Sequence, residues 1–246
     1  MPELRKSFWG HTIELLNRVR LTLITIAVFF LAFLIVPYKG VPVSALALDK
    51  LRNDLLPTGL KLYSFNFFDG VYALFMSALF MALLASLPVI AYQLYKFVGP
   101  ALKPRERRLV FWVCSAFTVL FLLGVLVGYF VIVPISLKVL VMFISFAGAE
   151  PLISISSFFS FVTLSLAVMG FCFTFPVYLV ALAKLGFLSA DSLTSKRKFV
   201  IVGTVVVLSV ITPDPTPVST VILSVILLAL YELTIVVIRL TKGKNN

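Results

Sequence analysis

The chain has 246 residues, of which 61% are hydrophobic and only 13% charged, so a water-soluble globule could not bury its apolar surface. Lysine and arginine number 21 against 10 aspartates and glutamates, which gives a formal net charge of +11. In a membrane protein such cations gather at the ends of spans on one side, so we expect no nucleic-acid partner.

Uncharged apolar runs of roughly the 20 residues that cross a bilayer recur along the chain. They predict an all-α, polytopic membrane protein, a single integral membrane domain over 1–246 with six transmembrane helices. The last two runs hold about 15 residues each and reach only about 22 Å, so the last two spans are predicted to be short. They form either a re-entrant hairpin or full spans across a thinned bilayer. The predicted spans are 20–38, 69–96, 109–136, 153–184, 199–212 and 216–237.

The first apolar run is predicted to be a retained span, because no small-residue cleavage site of a signal peptide follows it. After it, residues 43–56 are bracketed by Pro42 and Pro57 and carry Leu48, Leu51 and Leu55 at helical spacing. This pattern predicts a short amphipathic helix on the outer membrane surface, where it caps the external ends of the spans.

Most of the lysines and arginines fall in four segments: the N-terminal arm, the second-to-third and fourth-to-fifth connections, and the C-terminal tail. By the positive-inside rule this distribution places both termini in the cytoplasm. We therefore expect a multi-pass protein of the plasma (inner) membrane.

Two glutamates, Glu14 and Glu106, each stand among arginines just outside an apolar segment on the predicted cytoplasmic face. Guanidinium groups bind carboxylates through paired, charge-assisted hydrogen bonds that lysine reproduces poorly. The two acids therefore indicate a binding site for a cationic, arginine-bearing peptide. The alternative is local: Glu14 forms an i,i+4 pair with Arg18, and Glu106 balances the cations beside it.

Two further acids are candidates for contact with a partner or for transport. Glu232 lies in an otherwise uncharged span, where it either contacts a partner helix or caps the cytoplasmic end with Arg239 nearby. Asp214 lies in a proline-rich external turn, for which an ordinary Pro-Asp turn is the alternative.

Other function classes fit the sequence less well. A small-solute transporter or channel predicts internal repeats and midplane charges, and neither is evident. An intramembrane enzyme needs a catalytic constellation, and the single histidine, His11, cannot supply one or form a metal site. We therefore expect neither enzymatic activity nor a cofactor.

Five groups of residues, in order along the chain, resemble the motifs of the TatC family, the C subunit of the twin-arginine protein translocase. The resemblance extends from His11 to Glu232. It is carried by His11, Glu14, Leu15 and Arg18; by Pro88, Tyr92-Gln93, Phe97, Pro100-Ala101-Leu102 and Glu106-Arg107; by Gly124, Tyr129-Phe130 and Pro134; by Gly170, Phe173 and Pro176-Val177; and by Thr212-Pro213, Asp214, Ser219 and Tyr231-Glu232.

The resemblance implies a core receptor that binds twin-arginine signal peptides and exports folded proteins using the proton-motive force. It implies homo- and hetero-oligomers within the lipid bilayer that include single-span TatA/TatB-type subunits. Glu106 would be the main arginine acceptor and Glu14 the second. The expected signal-peptide site also includes Arg107, Arg18, His11 and Phe97, and the expected partner-contact or transport residues are Glu232, Asp214, Thr174 and Pro176.

The sequence departs from the family at several positions. Thr174 stands where a glutamate usually precedes Pro176, which removes an intramembrane acid and puts its partner contact in doubt. Asn66 and Asp69 stand where proline or small polar residues are usual.

Overall fold

The computed structural model describes residues 2–38, 40–98, 104–184, 188–211 and 217–242. For some helical residues it describes the backbone but not the side chain. These are residues 2–12, 15, 94–95, 97–98, 104–110, 211 and 241–242.

The described chain is almost entirely helical, which confirms the predicted all-α class. The helices are α1 Pro2–Ile35, α2 Val43–Leu55, α3 Asp69–Val98, α4 Pro104–Val127, α5 Val133–Phe146, α6 Ile155–Lys184, α7 Ala190–Ser195, α8 Arg197–Ile211 and α9 Pro217–Lys242. The strands form two short pairs, β1 Pro37–Tyr38 with β2 Val41–Pro42 in antiparallel, and β3 Leu62–Tyr63 with β4 Ile153–Ser154 in parallel.

Five helices of the described residues are long and apolar enough to cross a membrane, so the protein is a multi-pass membrane protein. These stretches are Leu16–Ile35, Asp69–Gln93, Phe111–Phe146, Ile155–Lys184 and Pro217–Leu240. The predicted fifth span corresponds to α8, which has 15 residues and is short, as expected.

The predicted shortness of the sixth span is wrong, because α9 has 26 residues and includes a 24-residue apolar stretch. Its charged residue does not end the helix, since Glu232 is paired with Arg197 of α8.

The third span also extends beyond its predicted end at 136. A π-helix, Gly128–Ile132, joins α4 to α5, and α5 continues to Phe146. Pro134 is the second residue after the π-helix. Proline lacks the N–H that an α-helix requires, and a locally wider turn accommodates its ring without ending the helix.

The amphipathic helix between the first two spans occurs where the prolines predict it, as α2. Leu48, Leu51 and Leu55 pack into a core cluster with residues of α3, α5 and α6. Polar contacts add to this packing: Ser77 of α3 donates to the Ser44 carbonyl oxygen at 3.4 Å, and the Tyr129 hydroxyl donates to the Asp54 carboxylate. The cap predicted for α2 is therefore an integral part of the fold.

The bundle has two ends, which the contacts between elements define. The β3–β4 pair brings the starts of α3 and α6 together beside α2, and we call this end the α2 face. The opposite end, the terminal face, holds the start of α1 and the last turns of α3, α6 and α9, because each of these four helices is long enough to cross the bundle. The short helix α7 lies there too, packed against α9.

The centre of the bundle is the contact between α4 and α6, where two glycines allow the helices to approach closely. A Cβ on Gly124 would overlap the Met169 carbonyl oxygen, and one on Gly170 would lie 2.6 Å from the Phe121 ring. In lipid no hydrophobic driving force joins helices, so such close packing is a principal source of their association.

We predict that Gly124→Ala destabilises the protein by about 1–3 kcal/mol, because a methyl group must displace the backbone of α6. The measurement is the unfolding midpoint of the purified protein in detergent. Gly203→Ala is the matched control: nothing lies within 4 Å of its added Cβ. Alanine there should be neutral or stabilising by up to about 1 kcal/mol. Equal losses in the two variants would contradict the role given to the α4–α6 contact.

Candidate functional site

Glu14 lies on α1 at the terminal face, just before the apolar stretch that begins at Leu16. Arg18, one turn later, donates from Nη2 to Glu14 Oε1, so the i,i+4 pair given as the local alternative for Glu14 is present. The Glu14 side chain is 35% exposed and that of Arg18 is 16% exposed. The carboxylate is thus partly accessible just before the apolar stretch, and one of its oxygens accepts a hydrogen bond from Arg18.

An apolar groove of about 440 Å³ lies between the last turns of α3 and the first turns of α4. We call it the α3–α4 groove. It is lined by Pro88, Ala91, Tyr92, Phe111, Cys114, Ser115, Thr118 and Val119. The Thr118 hydroxyl bonds to the Cys114 carbonyl oxygen of its own helix, which removes a polar group from the wall. At the terminal end, Lys96 Nζ lies 5.2 Å from the centre of the Tyr92 ring. The groove therefore suits an apolar segment with a polar end.

Several predicted site residues lie outside what the structure describes. The backbones of His11, Phe97, Glu106 and Arg107 are helical, at the start of α1, the end of α3 and the start of α4, but their side chains are outside the described part. Asp214 lies outside the described residues altogether. These assignments remain predictions.

Glu232 of α9 forms its ion pair with Arg197, the first residue of α8, across 2.6 Å. The cation that pairs with Glu232 is thus Arg197 and not Arg239, which the capping alternative named; Arg239 donates to the Thr194 hydroxyl at 3.2 Å. The preceding residue, Tyr231, is buried and donates to the Leu193 carbonyl oxygen at 2.8 Å. These contacts fasten α9 to α7 and α8 at the terminal face.

Sequence reasoning counted Arg197 only as a cytoplasmic cation and did not identify its partner. The two residues of the pair are 35 positions apart, beyond the reach of any helical-spacing rule. The sequence feature that could have predicted the pair is a lone acid in one helix together with a cation at the start of the preceding helix.

Thr174 and Pro176 are both buried within the chain's own helices. The Thr174 hydroxyl donates to the Phe171 carbonyl oxygen at 2.7 Å, so its hydrogen bond is made inside α6. Contact with a partner helix would require these residues to become exposed.

A second apolar groove, of about 580 Å³, lies between α6 and α8 and is closed at its base by Leu227 of α9. We call it the α6–α8 groove. Residues spaced by three or four positions line both walls, Phe171, Phe175 and Tyr178 on α6, and Val200, Gly203 and Val207 on α8.

The described residues contain no group of three or more histidine, cysteine, aspartate or glutamate side chains able to hold a metal ion.

We predict that Tyr231→Phe lowers the free energy of unfolding by about 0.5–1.5 kcal/mol, because the Leu193 carbonyl oxygen loses its donor. The measurement is chemical unfolding in detergent micelles. Tyr178→Phe is the matched control, since its half-exposed ring keeps its edge contact with Phe117 without the hydroxyl. A loss that is no greater for Tyr231→Phe than for the control would rule out this anchoring role.

Comparison with known proteins identifies relatives over nearly the whole chain. The sequence model of the family described as "Sec-independent protein translocase protein (TatC)" matches residues 10–225. The TatC protein of Listeria innocua serovar 6a is 31% identical over 237 residues, covering 96% of this chain and 93% of the relative. TatC of Escherichia coli K12 is 31% identical over 239 residues, covering 96% and 89% of the two chains.

The fold agrees with the sequence comparison. A crystal structure of a twin-arginine translocase receptor, TatC, matches with a TM-score of 0.77 at 28% identity, covering 94% of this chain and 99% of the other. The resemblance inferred from the sequence motifs is thus confirmed, and the chain belongs to the TatC family of Sec-independent protein translocases.

Proposed function

We propose that this protein is the core receptor of a twin-arginine translocation system. It binds signal peptides that carry consecutive arginines and takes part in exporting folded proteins across the cell membrane, with the proton-motive force as the energy source. The terminal face lies in the cytoplasm, where the signal peptide arrives, and α8 completes a set of six spans. The cation distribution supports this orientation, because the N-terminal arm, the second-to-third and fourth-to-fifth connections and the C-terminal tail contain most of the lysines and arginines.

The observation that carries the proposal is the accessible carboxylate of Glu14 at the membrane boundary of a TatC-family chain. An i,i+4 ion pair on a helix contributes only about 0.3–0.5 kcal/mol, so an incoming guanidinium can replace Arg18 as the partner of Glu14. Arg18 meanwhile holds the carboxylate in place without a peptide. Glu106, at the start of α4, is the proposed main acceptor, with Arg107, His11 and Phe97 around it.

The α3–α4 groove supports the second half of the recognition. It begins close in sequence to Glu106, since Phe111 lies five positions later, and its lining is almost entirely apolar. The hydrophobic segment that follows the arginines of a signal peptide can lie in this groove while the arginines remain at the water boundary. One peptide would then satisfy both the carboxylates and the groove.

The α6–α8 groove is the proposed binding site for a single-span partner of the TatA/TatB type. Its α8 wall presents Gly203 and Thr204, and small residues allow the backbones of two membrane helices to approach closely. Assembly of the translocation complex would cover this apolar surface. Glu232 lies near its terminal end, where it pairs with Arg197, three residues before Val200 of the α8 wall.

We predict that Glu106→Gln lowers crosslinking to a twin-arginine signal peptide in membrane vesicles by about tenfold, because a charge-assisted hydrogen bond contributes roughly 1.5–3 kcal/mol. Glu14→Gln should have a smaller effect, since Arg18 already shares that carboxylate. A Lys-Lys peptide should bind the unaltered protein as weakly as the Arg-Arg peptide binds Glu106→Gln.

Glu150→Gln is the control for charge alone, because Glu150 lies in an exposed loop at the α2 face. Equal crosslinking yields for both peptides and all variants would refute the proposal that these carboxylates bind the arginines of the signal peptide.

We also predict that four leucines inserted into α8 reduce export while leaving signal-peptide binding intact. The insertion lengthens this 15-residue helix by about 6 Å and relieves the local thinning of the bilayer that a short span imposes. Four leucines after Phe146 are the control, because that helix already exceeds the bilayer thickness. Unchanged export by the α8 variant would contradict a role for its shortness.

A further inference from the structure

The segment that leads into α3 exposes a cluster of aromatic rings that the proposed export function does not use. We call residues 63–68, Tyr-Ser-Phe-Asn-Phe-Phe, the aromatic loop. Phe67 is 95% exposed and Phe68 is 70% exposed, and their rings meet edge to face at 5.5 Å. Phe65 and Tyr63 are exposed beside them, with ring centres 6.4 Å apart. The loop itself carries no charged residue.

A buried carboxylate holds this loop in one conformation. Asp69 is only 4% exposed and accepts hydrogen bonds from the backbone N–H groups of Phe65 and Asn66, at 2.9 and 3.1 Å. It also accepts hydrogen bonds from two hydroxyls that are distant in sequence, that of Ser154 in β4 at 3.4 Å and that of Ser156 in the first turn of α6 at 2.9 Å. Because Asp69 ties the loop to a second helix, the exposed rings are displayed on a rigid support.

The position of the loop indicates what surrounds it. The apolar stretch of α3 begins at Asp69, directly after the loop, so the loop lies at the membrane boundary on the α2 face. Phe68 continues an exposed stripe of α3 that contains Tyr72, Phe75 and Leu79 at helical spacing. On a spanning helix, an exposed apolar stripe of this kind faces lipid. The aromatic loop extends that lipid-facing surface past the end of the span.

We propose that the aromatic loop is a membrane anchor that inserts into the lipid headgroup and upper acyl region of the leaflet on the α2 face. The ring of Tyr63, with its hydroxyl, suits the membrane–water boundary, and the apolar rings of Phe65, Phe67 and Phe68 contact acyl chains while the loop backbone remains hydrated. Asp69 acts as the positioning residue. The anchor fixes the height of α3 in the bilayer and so the depth of the cap formed by α2.

The test is the depth of a tryptophan placed in the loop. The two natural tryptophans are first replaced, Trp9→Phe and Trp112→Phe, and Phe67→Trp is then introduced into the full chain in phosphatidylcholine vesicles. Quenching by bromines at different acyl-chain positions measures depth, and quenching by iodide measures contact with water. Leu79→Trp, on the same stripe, is the deep control, and Asn53→Trp, exposed on α2, is the aqueous control.

We expect Phe67→Trp to be protected from iodide, blue-shifted relative to Asn53→Trp, and quenched best by bromines nearer the headgroups than those that quench Leu79→Trp. Iodide quenching equal to that of Asn53→Trp would overturn the anchor. Protection from both iodide and every brominated lipid would also overturn it, because the loop would then be covered by protein.

Asp69→Asn tests the positioning role. It should make Phe67→Trp more accessible to iodide and spread its quenching over several depths, while Leu79→Trp in the same background stays unchanged and shows that α3 still spans the bilayer. Ser156→Ala should cause a smaller change in the same direction. An unaltered depth profile of Phe67→Trp in the Asp69→Asn background would contradict the positioning role of Asp69.

Discussion

The fold depends on the close approach of α4 and α6, which Gly124 and Gly170 permit from opposite sides. In a bilayer the apolar surface of a helix gains nothing by leaving lipid, so shape complementarity must hold the helices together. The other spans add to this central pair. α3 packs against both helices, α1 packs against α3, and α9 packs against α6 and carries α8. The grooves that the proposed function uses lie where these added helices diverge from the centre.

Much of this architecture was predictable because the bilayer imposes simple rules on composition and length. The prolines at 42 and 57 bound α2 almost to the residue, and α3 begins where its predicted span begins. The predictions failed where the end of an uncharged run was taken as the end of a span. The third span continues past Lys138 to Phe146, and the last helix continues past Glu232, which is paired with Arg197.

In the candidate site, contacts between residues close in the sequence were predictable, and contacts between distant residues were not. The Glu14–Arg18 pair follows from helical spacing alone and was predictable. The contacts of Asp69 with Ser154 and Ser156, like the hydrogen bond from Tyr231 to Leu193, join residues that meet only when separate helices pack. Asp69 was noticed in the sequence only as a departure from the family. Its role required the β3–β4 pair to bring the starts of α3 and α6 together.

The exposure of the apolar stretch of α1 has a consequence for how the chain is inserted into the membrane. No residue of its apolar stretch is buried within the protein, and its packing partners, α2 and α3, follow it in the sequence. During synthesis this helix can therefore enter the bilayer and acquire its orientation as an independent unit before any partner has left the ribosome. The later helices then pack against α1 after its orientation in the membrane has been fixed.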